Sequence, residues 1–86
     1  MIILCSIKPF MYAQKIMVFN DDGDAYTTIT TTVKDFAENL CELVEKYQCK
    51  KIKMAGNKMY VKGLENRVRE CYLAKYKKDD LEIEYI

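Results

Sequence analysis

Several residue types on which enzymes commonly depend are absent or scarce in this sequence. It has no histidine and no tryptophan, and Ser6 is its only serine. Without histidine, neither a Ser-His-Asp triad nor a Cys-His pair nor a histidine-ligated metal can be assembled. These absences exclude the commonest routes of nucleophilic and metal-dependent catalysis.

The length and composition indicate one globular domain. The 86 residues are half hydrophobic and 31% charged, and a domain commonly uses about 100–200 residues. We predict a single domain over residues 1–86. No apolar run approaches the roughly 18 residues of a membrane span, and residues 1–7 lack the basic start and cleavage site of a secretory signal.

The cysteines indicate a reducing compartment. Cys5, Cys41, Cys49 and Cys71 show no C-x-x-C spacing, and a zinc site would need all of them to converge because no histidine can replace one. Free cysteines of this kind commonly behave as small buried hydrophobes. We therefore expect free thiols, no metal, no cofactor and a cytoplasmic location.

The amino-terminal part of the chain has the pattern of three strands. Residues 2–7 form a continuous apolar run, which is typical of a strand buried on both faces in the middle of a sheet. A second apolar run covers 16–19, and turn-forming residues at 20–24 separate it from the threonine-rich run 25–32. Residues 15–32 are therefore predicted to form a β-hairpin, whose second strand lies at a sheet edge.

Two helices alternate with two further strands in the rest of the chain. Thr32 is predicted to cap a helix that ends near Tyr47, because apolar residues recur there at helical spacing. Residues 51–55 have a strand pattern, 58–76 a helical one, and 81–86 alternate as a half-exposed strand. The predicted fold class is α/β, with the order β-β-β-α-β-α-β and a five-stranded mixed sheet whose first strand is central.

Basic residues are concentrated in one segment. Residues 1–49 carry four lysines against seven acids, whereas residues 50–78 carry ten lysines and arginines against two acids, a sum of +8. This segment suits either a solvated helix face or a surface that binds nucleic-acid backbone or an acidic protein. The candidate anion- or nucleic-acid-binding residues are Lys50, Lys51, Lys53, Asn57, Lys58, Lys62, Arg67, Arg69 and Lys75.

Phe10, Met11 and Tyr12 form the candidate partner interface. They follow the only proline, in a connection between two predicted strands. Exposed, they would bind a partner protein or a second copy of the chain, whereas folded over the sheet edge they would belong to the core. An open sheet edge at 25–32 or 81–86 is a further candidate contact.

Three local patterns carry weaker signals. Residues 20–24 have the acidic composition of a calcium loop but not its spacing, and we interpret them as a hairpin turn. Gly56, Asn57 and Lys58 lie where a strand meets a helix, which suits either phosphate binding or an ordinary helix cap. Cys49 precedes two lysines that could lower its thiol pKa, but the sequence indicates no partner thiol.

The element order resembles the ribonuclease H-like fold, in which three antiparallel strands precede alternating helices and strands in the sheet order 3-2-1-4-5. Active members of that family hold metal ions with carboxylates on the first strand and near the end of the fourth. Residues 5–8 and 55–57 occupy those places here and include no acid, and Glu38 or Glu42 alone cannot hold two metals. The resemblance therefore implies a degenerate member without nuclease activity.

The sequence thus predicts a non-catalytic intracellular interaction module. Its basic segment 50–78 would bind nucleic-acid backbone or an acidic partner. The alternative is a protein that makes only protein–protein contacts, as a homodimer or as an inhibitory accessory protein of a phage or mobile element.

Overall fold

The computed structural model describes residues 1–8 and 12–86, which form five strands and two helices. The helices are α1 (Phe36–Tyr47) and α2 (Lys58–Tyr76). The predicted α/β class and element order are confirmed. The strands are β1 (Ile2–Ser6), β2 (Ala13–Phe19), β3 (Ala25–Thr32), β4 (Lys51–Ala55) and β5 (Glu82–Tyr85).

The strands lie in one mixed sheet with the order β3-β2-β1-β4-β5. β1 pairs antiparallel with β2 and parallel with β4, while β3 extends the sheet antiparallel to β2 and β5 extends it parallel to β4. The predicted central position of β1 and edge position of β3 are both confirmed.

Both helices pack on the same face of this sheet. The chain crosses from β3 to β4 through α1 and from β4 to β5 through α2, in the same direction both times. Because crossovers between parallel strands are right-handed, they place both helices on one side. The helices also contact each other, since the Tyr72 hydroxyl donates a hydrogen bond to Glu45 at 2.8 Å and Cys41 Sγ lies 3.6 Å from the Val68 carbonyl oxygen.

The core lies between the helices and the face that they cover. Ile3 and Cys5 of β1 are fully buried there, together with Phe36 of α1. Ile2 and Leu4 alternate with them, face the other way, and are only partly covered. The prediction that β1 is buried on both faces is therefore wrong. Its apolar run is continuous because both faces of this central strand carry apolar side chains, although helices cover only one of them.

The start of α1 differs from the prediction. Thr32 is the last residue of β3, where it pairs with Ala13, and its hydroxyl accepts a hydrogen bond from the Asp35 amide at 3.2 Å. This bond closes a turn at 33–35, and the helix begins at Phe36 with Asp35 as its N-cap. The predicted Thr32 cap is wrong because the backbone of Thr32 still belongs to the sheet.

The bounds of α2 are those predicted, because both ends have clear stop signals. The Asn57 side chain accepts hydrogen bonds from the amides of Met59 and Tyr60 at 3.1 and 3.3 Å, which is a helix N-cap. Lys77 has a left-handed conformation with φ of 59°, and its amide bonds the Leu73 carbonyl at 2.9 Å.

Across residues 1–8 and 12–86, neither helix has the length and apolarity needed to cross a membrane.

Candidate interaction surface

The sheet face opposite the helices is left uncovered by the residues that the structure describes. The strand register places Leu4 between Met17 of β2 and Lys53 of β4. In the next row Ile2 pairs with Phe19, and Lys51 lines the same depression as these two residues. Apolar side chains therefore occupy the middle of this face, and two lysines follow on β4.

We call Ile2, Leu4, Met17 and Phe19 the apolar strip. Ile2 is 36% exposed, whereas Ile3, its neighbour on the other face, is 0% exposed. A depression of about 410 Å³ on this face is lined in part by Ile2, Leu4 and Phe19. Contiguous apolar surface that the fold leaves accessible is characteristic of a binding surface.

Lys51 and Lys53, the lysine pair, border the apolar strip. Glu82 and Glu84 of β5 are their neighbours in the ladder. Neither lysine is within ion-pair distance of an acid among the described residues. The uncovered face thus combines an apolar centre with two lysines outside any ion pair, and their positive potential is reduced by Glu82 and Glu84 toward β5 and by Asp21, whose charge interacts with Lys51.

Two of the predicted binding lysines are neutralised within the fold. Lys50 forms an ion pair with Asp80, which lies in the connection before β5. Lys75 Nζ lies 3.7 and 3.6 Å from the carboxylates of Glu38 and Glu42, so it joins α2 to α1. These charges connect elements of the chain and contribute little to the attraction of an anionic partner.

Arg69 also has a structural role. Its Nε donates to Glu65 at 2.8 Å and its Nη1 donates to the carbonyl of Leu81, the residue before β5, at 3.1 Å, which joins α2 to the approach to the last strand. The Tyr85 hydroxyl donates to the same Glu65 carboxylate. Burial raises the pKa of Glu65, but the hydrogen bonds from Tyr85 and Arg69 and the charge of Arg69 together hold that pKa below its ordinary value.

Acid should weaken this attachment of α2 to β5. Because the pKa of Glu65 is lowered in the folded state, ionised Glu65 stabilises the fold above about pH 4.5, and this contribution is lost as the pH falls through the lower folded-state pKa. We expect Glu65→Gln to lower Tm at neutral pH and to flatten the loss of Tm below pH 4.5 in thermal melts. Glu70→Gln on the exposed side of α2 is the control, and an equal effect of both substitutions would contradict the assignment.

Lys58, Lys62 and Arg67 lie on a different surface from the lysine pair. They are exposed on the first half of α2, on the helical side of the molecule, and make no ion pair with a described residue. Lys51 and Lys53 project from the opposite side of the sheet. The basic segment therefore does not form one continuous binding surface.

The connection from β4 to α2 has a packing role. Gly56 has φ of +149°, and a Cβ atom there would lie 2.3 Å from the Ile7 carbonyl oxygen. The Asn57 side chain occupies the amides of Met59 and Tyr60 at the helix start. Since a phosphate would need those amides, the geometry favours an ordinary helix cap.

Tyr12 is the one residue of the predicted partner interface that the structure describes, because Phe10 and Met11 lie outside the described residues. Its side chain is 79% exposed, and its carbonyl accepts a hydrogen bond from the Val33 amide at 3.2 Å. Tyr12 is thus held at the sheet by its backbone while its ring is accessible to a partner.

The acidic segment 20–24 forms the hairpin turn. The Asn20 side chain accepts hydrogen bonds from the amides of Asp22 and Asp24 at 3.0 and 2.9 Å, an arrangement typical of a turn. No group of three or more potential metal-ligating side chains occurs in the described part of the chain.

The thiols are embedded in the fold. Cys49 is buried, and its Sγ lies 3.1 Å from the Met1 carbonyl oxygen. Burial raises the pKa of Cys5 to about 12. Burial, followed by the neighbouring Cys71 thiol, raises the pKa of Cys41 to about 12 as well. The thiolate forms of Cys5 and Cys41 are therefore disfavoured.

The uncovered face was not predicted from the sequence, although residues 51–54 carry a signal for it. Lys51 and Lys53 alternate with buried Ile52 and Met54, which is the pattern of a strand with one exposed face. Combined with crossovers that all proceed in one direction, this pattern indicates a sheet with helices on a single side.

Comparison of the chain with protein-family models, with curated proteins and with solved structures gave no match in any of the three.

Proposed function

We propose that this protein is a non-catalytic interaction module that binds an acidic protein through the uncovered face of its sheet. The observation that carries the proposal is the apolar strip bordered by Lys51 and Lys53 on a face that none of the described residues covers with a second layer. An apolar centre contributes affinity by excluding water, and the neighbouring charges select for an acidic partner.

An acidic protein fits this face better than a nucleic acid does. Single-stranded nucleic acids need a continuous basic groove with several aromatic rings on which bases stack. The described residues of this face include one aromatic side chain in the strip, Phe19, and Glu82 and Glu84 border the lysine pair. The glutamates would repel phosphates along any path toward β5.

A second candidate is nucleic-acid binding along α2. The specific observation that favours it is that Lys58, Lys62 and Arg67 are exposed and make no ion pair with a described residue. These side chains could contact phosphates, which would make binding strongly dependent on salt.

We further propose that the fold is a degenerate form of the ribonuclease H-like fold and that the protein acts in the cytoplasm. The sheet order β3-β2-β1-β4-β5 and the element order support the first proposal. The free state of Cys5, Cys41, Cys49 and Cys71 supports the second, because thiols persist in reducing compartments. An accessory role in a phage or mobile element is a further expectation from the small size.

Affinity capture from the source cell with matched double variants tests the proposed function. Lys51→Gln with Lys53→Gln should weaken binding of an acidic protein by about thirtyfold and reduce its recovery accordingly, since two contacts of on the order of 1 kcal/mol each are removed. Lys58→Gln with Lys62→Gln removes the same charge from α2 and should leave that recovery unchanged.

The capture contradicts the proposal if the lysine-pair variant recovers its protein as well as the unmodified chain does. It supports nucleic-acid binding instead if nuclease treatment and the α2 variant, and not the lysine-pair variant, release the captured material. If an acidic protein is captured and purified, its dissociation constant for the unmodified chain should rise with salt. The dissociation constant for the lysine-pair variant should depend less on salt.

A further inference from the structure

Cys41 of α1 and Cys71 of α2 lie together where the two helices pack. Cys41 Sγ is 3.6 Å from the Val68 carbonyl oxygen, which is one turn before Cys71 in α2. Side chains of a helix lean toward its amino end, so the Cys71 thiol lies over the same turn. The hydrogen bond from Tyr72 to Glu45, at 2.8 Å, continues this contact one residue further along α2 and one turn further along α1. The packing therefore makes the two sulfur atoms neighbours.

The surroundings of Cys41 show the same contact. Burial is the main cause that raises the pKa of the Cys41 thiol, and the Cys71 thiol is the next, through its charge and through a side-chain hydrogen bond. A hydrogen bond between side chains requires direct contact. The other two cysteines lie elsewhere, Cys5 in β1 and Cys49 in the connection after α1. We call Cys41 and Cys71 the thiol pair.

The members of the thiol pair differ in their access to solvent. Cys41 is fully buried, whereas Cys71 is half-buried, and Glu70 and Ala74 beside it on α2 are exposed. A reagent in solution therefore reaches Cys71 first. Cys41 is available only to a sulfur atom that is already held next to it. This arrangement, an accessible thiol beside a resolving thiol, is characteristic of cysteines that respond to oxidants.

We propose that the thiol pair is a reversible oxidation site, which forms a disulfide between α1 and α2 when a small disulfide such as glutathione disulfide is the oxidant. The Cys71 thiolate attacks one sulfur of the oxidant, breaks its S–S bond, forms a mixed disulfide and releases one thiolate. The Cys41 thiolate then attacks the Cys71 sulfur, forms the protein disulfide and releases a second thiolate. Each cysteine loses one proton and one electron, and the oxidant is reduced to two thiols, which take up the protons.

Such a disulfide is compatible with a reducing compartment, because disulfides of cytosolic proteins are commonly transient and report an oxidant. Burial, followed by the Cys71 thiol, raises the pKa of Cys41 to about 12, so the attack by Cys41 is the slower step. Its position beside Cys71 favours that step, since the reaction is intramolecular. The thiol pair belongs to the helical layer, so the proposal stands independently of the partner proposed for the uncovered face.

Treatment of the folded chain with glutathione disulfide tests the site. Acid quenching, alkylation of the remaining thiols in urea and intact mass spectrometry should show a product that has lost the mass of two hydrogen atoms. Only Cys5 and Cys49 should be alkylated, and proteolytic peptides should join Cys41 to Cys71. Dithiothreitol should restore the original mass. A chain that loses no mass, or disulfides that include Cys5 or Cys49 as often as the thiol pair, would overturn the proposal.

Single variants test the two roles. Cys41→Ala should stop at the mixed disulfide and keep one glutathione on Cys71, whereas Cys71→Ser should neither lose mass nor take up glutathione. Cys49→Ala is the control and should oxidise as the unmodified chain does. Because Cys71 is only half-buried, Cys71→Ser should keep the native circular dichroism spectrum. Oxidation of Cys71→Ser at the unmodified rate, or a Cys41→Ala variant that takes up no glutathione, would overturn the assignment.

Thermal melts test whether the fold already holds the two sulfur atoms in place. The oxidised chain should melt roughly 10 °C or more above the reduced chain, because a disulfide that closes a loop of about 30 residues restricts the unfolded state. The oxidant should leave the Tm of Cys71→Ser unchanged. An oxidised chain that melts at or below the reduced one would contradict a thiol pair whose native geometry suits a disulfide.

Discussion

Gly56→Ala should abolish stable folding or lower the free energy of unfolding by at least about 3 kcal/mol. Two costs combine: a backbone with φ of +149° is strained for a residue with a side chain, and the new Cβ would lie 2.3 Å from the Ile7 carbonyl oxygen. The neighbouring Ile7 amide donates to the Ala55 carbonyl at 2.8 Å, so the clash cannot be relieved without separating β1 from β4. A domain of this size has a total stability of roughly 4–13 kcal/mol, and the loss is therefore a large part of it.

Gly63→Ala is the matched control. Gly63 lies inside α2, and a Cβ atom there would have no neighbour within 4 Å. Alanine should stabilise the protein by about 0.5–1 kcal/mol, because glycine loses more backbone entropy in a helix. Urea denaturation followed by circular dichroism measures both variants. A Gly56→Ala variant whose unfolding midpoint does not fall would contradict the predicted clash with Ile7.

Ile3→Ala should cost about 2–5 kcal/mol, and Ile2→Ala about 1 kcal/mol or less. The two residues are adjacent in β1, have the same side chain, and differ in the sheet face that they occupy. Ile3 is 0% exposed beneath the helices, so its truncation leaves a cavity, whereas Ile2 is 36% exposed on the sheet face opposite the helices. Chemical denaturation of both variants compares the two faces directly.

Equal losses for the two variants would contradict a sheet that is covered on one side only. The expected difference also bears on the proposed function, because a residue that contributes little to folding can contribute its apolar area to binding.

Local chemistry in the sequence was sufficient to predict most elements. β3, β4 and α2 have the predicted bounds because alternation, helical spacing and the Asn57 cap act over a few residues. The start of α1 was predicted too early because Thr32 is a good helix cap in isolation. In the fold its backbone pairs with Ala13 in the sheet, and this nonlocal ladder decides where the helix can begin.

The candidate binding residues were predictable as residue types but not as a surface. Lys50, Arg69 and Lys75 have the same local signal as Lys51 and Lys53, and only the fold shows that the first three meet acids. Glu38 and Glu42 are more than 30 positions from Lys75 in sequence, and the packing of α1 against α2 brings them together. These ion pairs could not be predicted from the sequence, because they depend on which faces of α1 and α2 pack together.

The sequence alone determined that histidine chemistry is excluded, that the chain alternates strands and helices in this order, and that its positive charge lies in the second half. The tertiary structure decided which charges remain available and which sheet face is open. The physical reason is that right-handed crossovers in one direction place both helices on one side, and this leaves the apolar strip and the lysine pair accessible on the other.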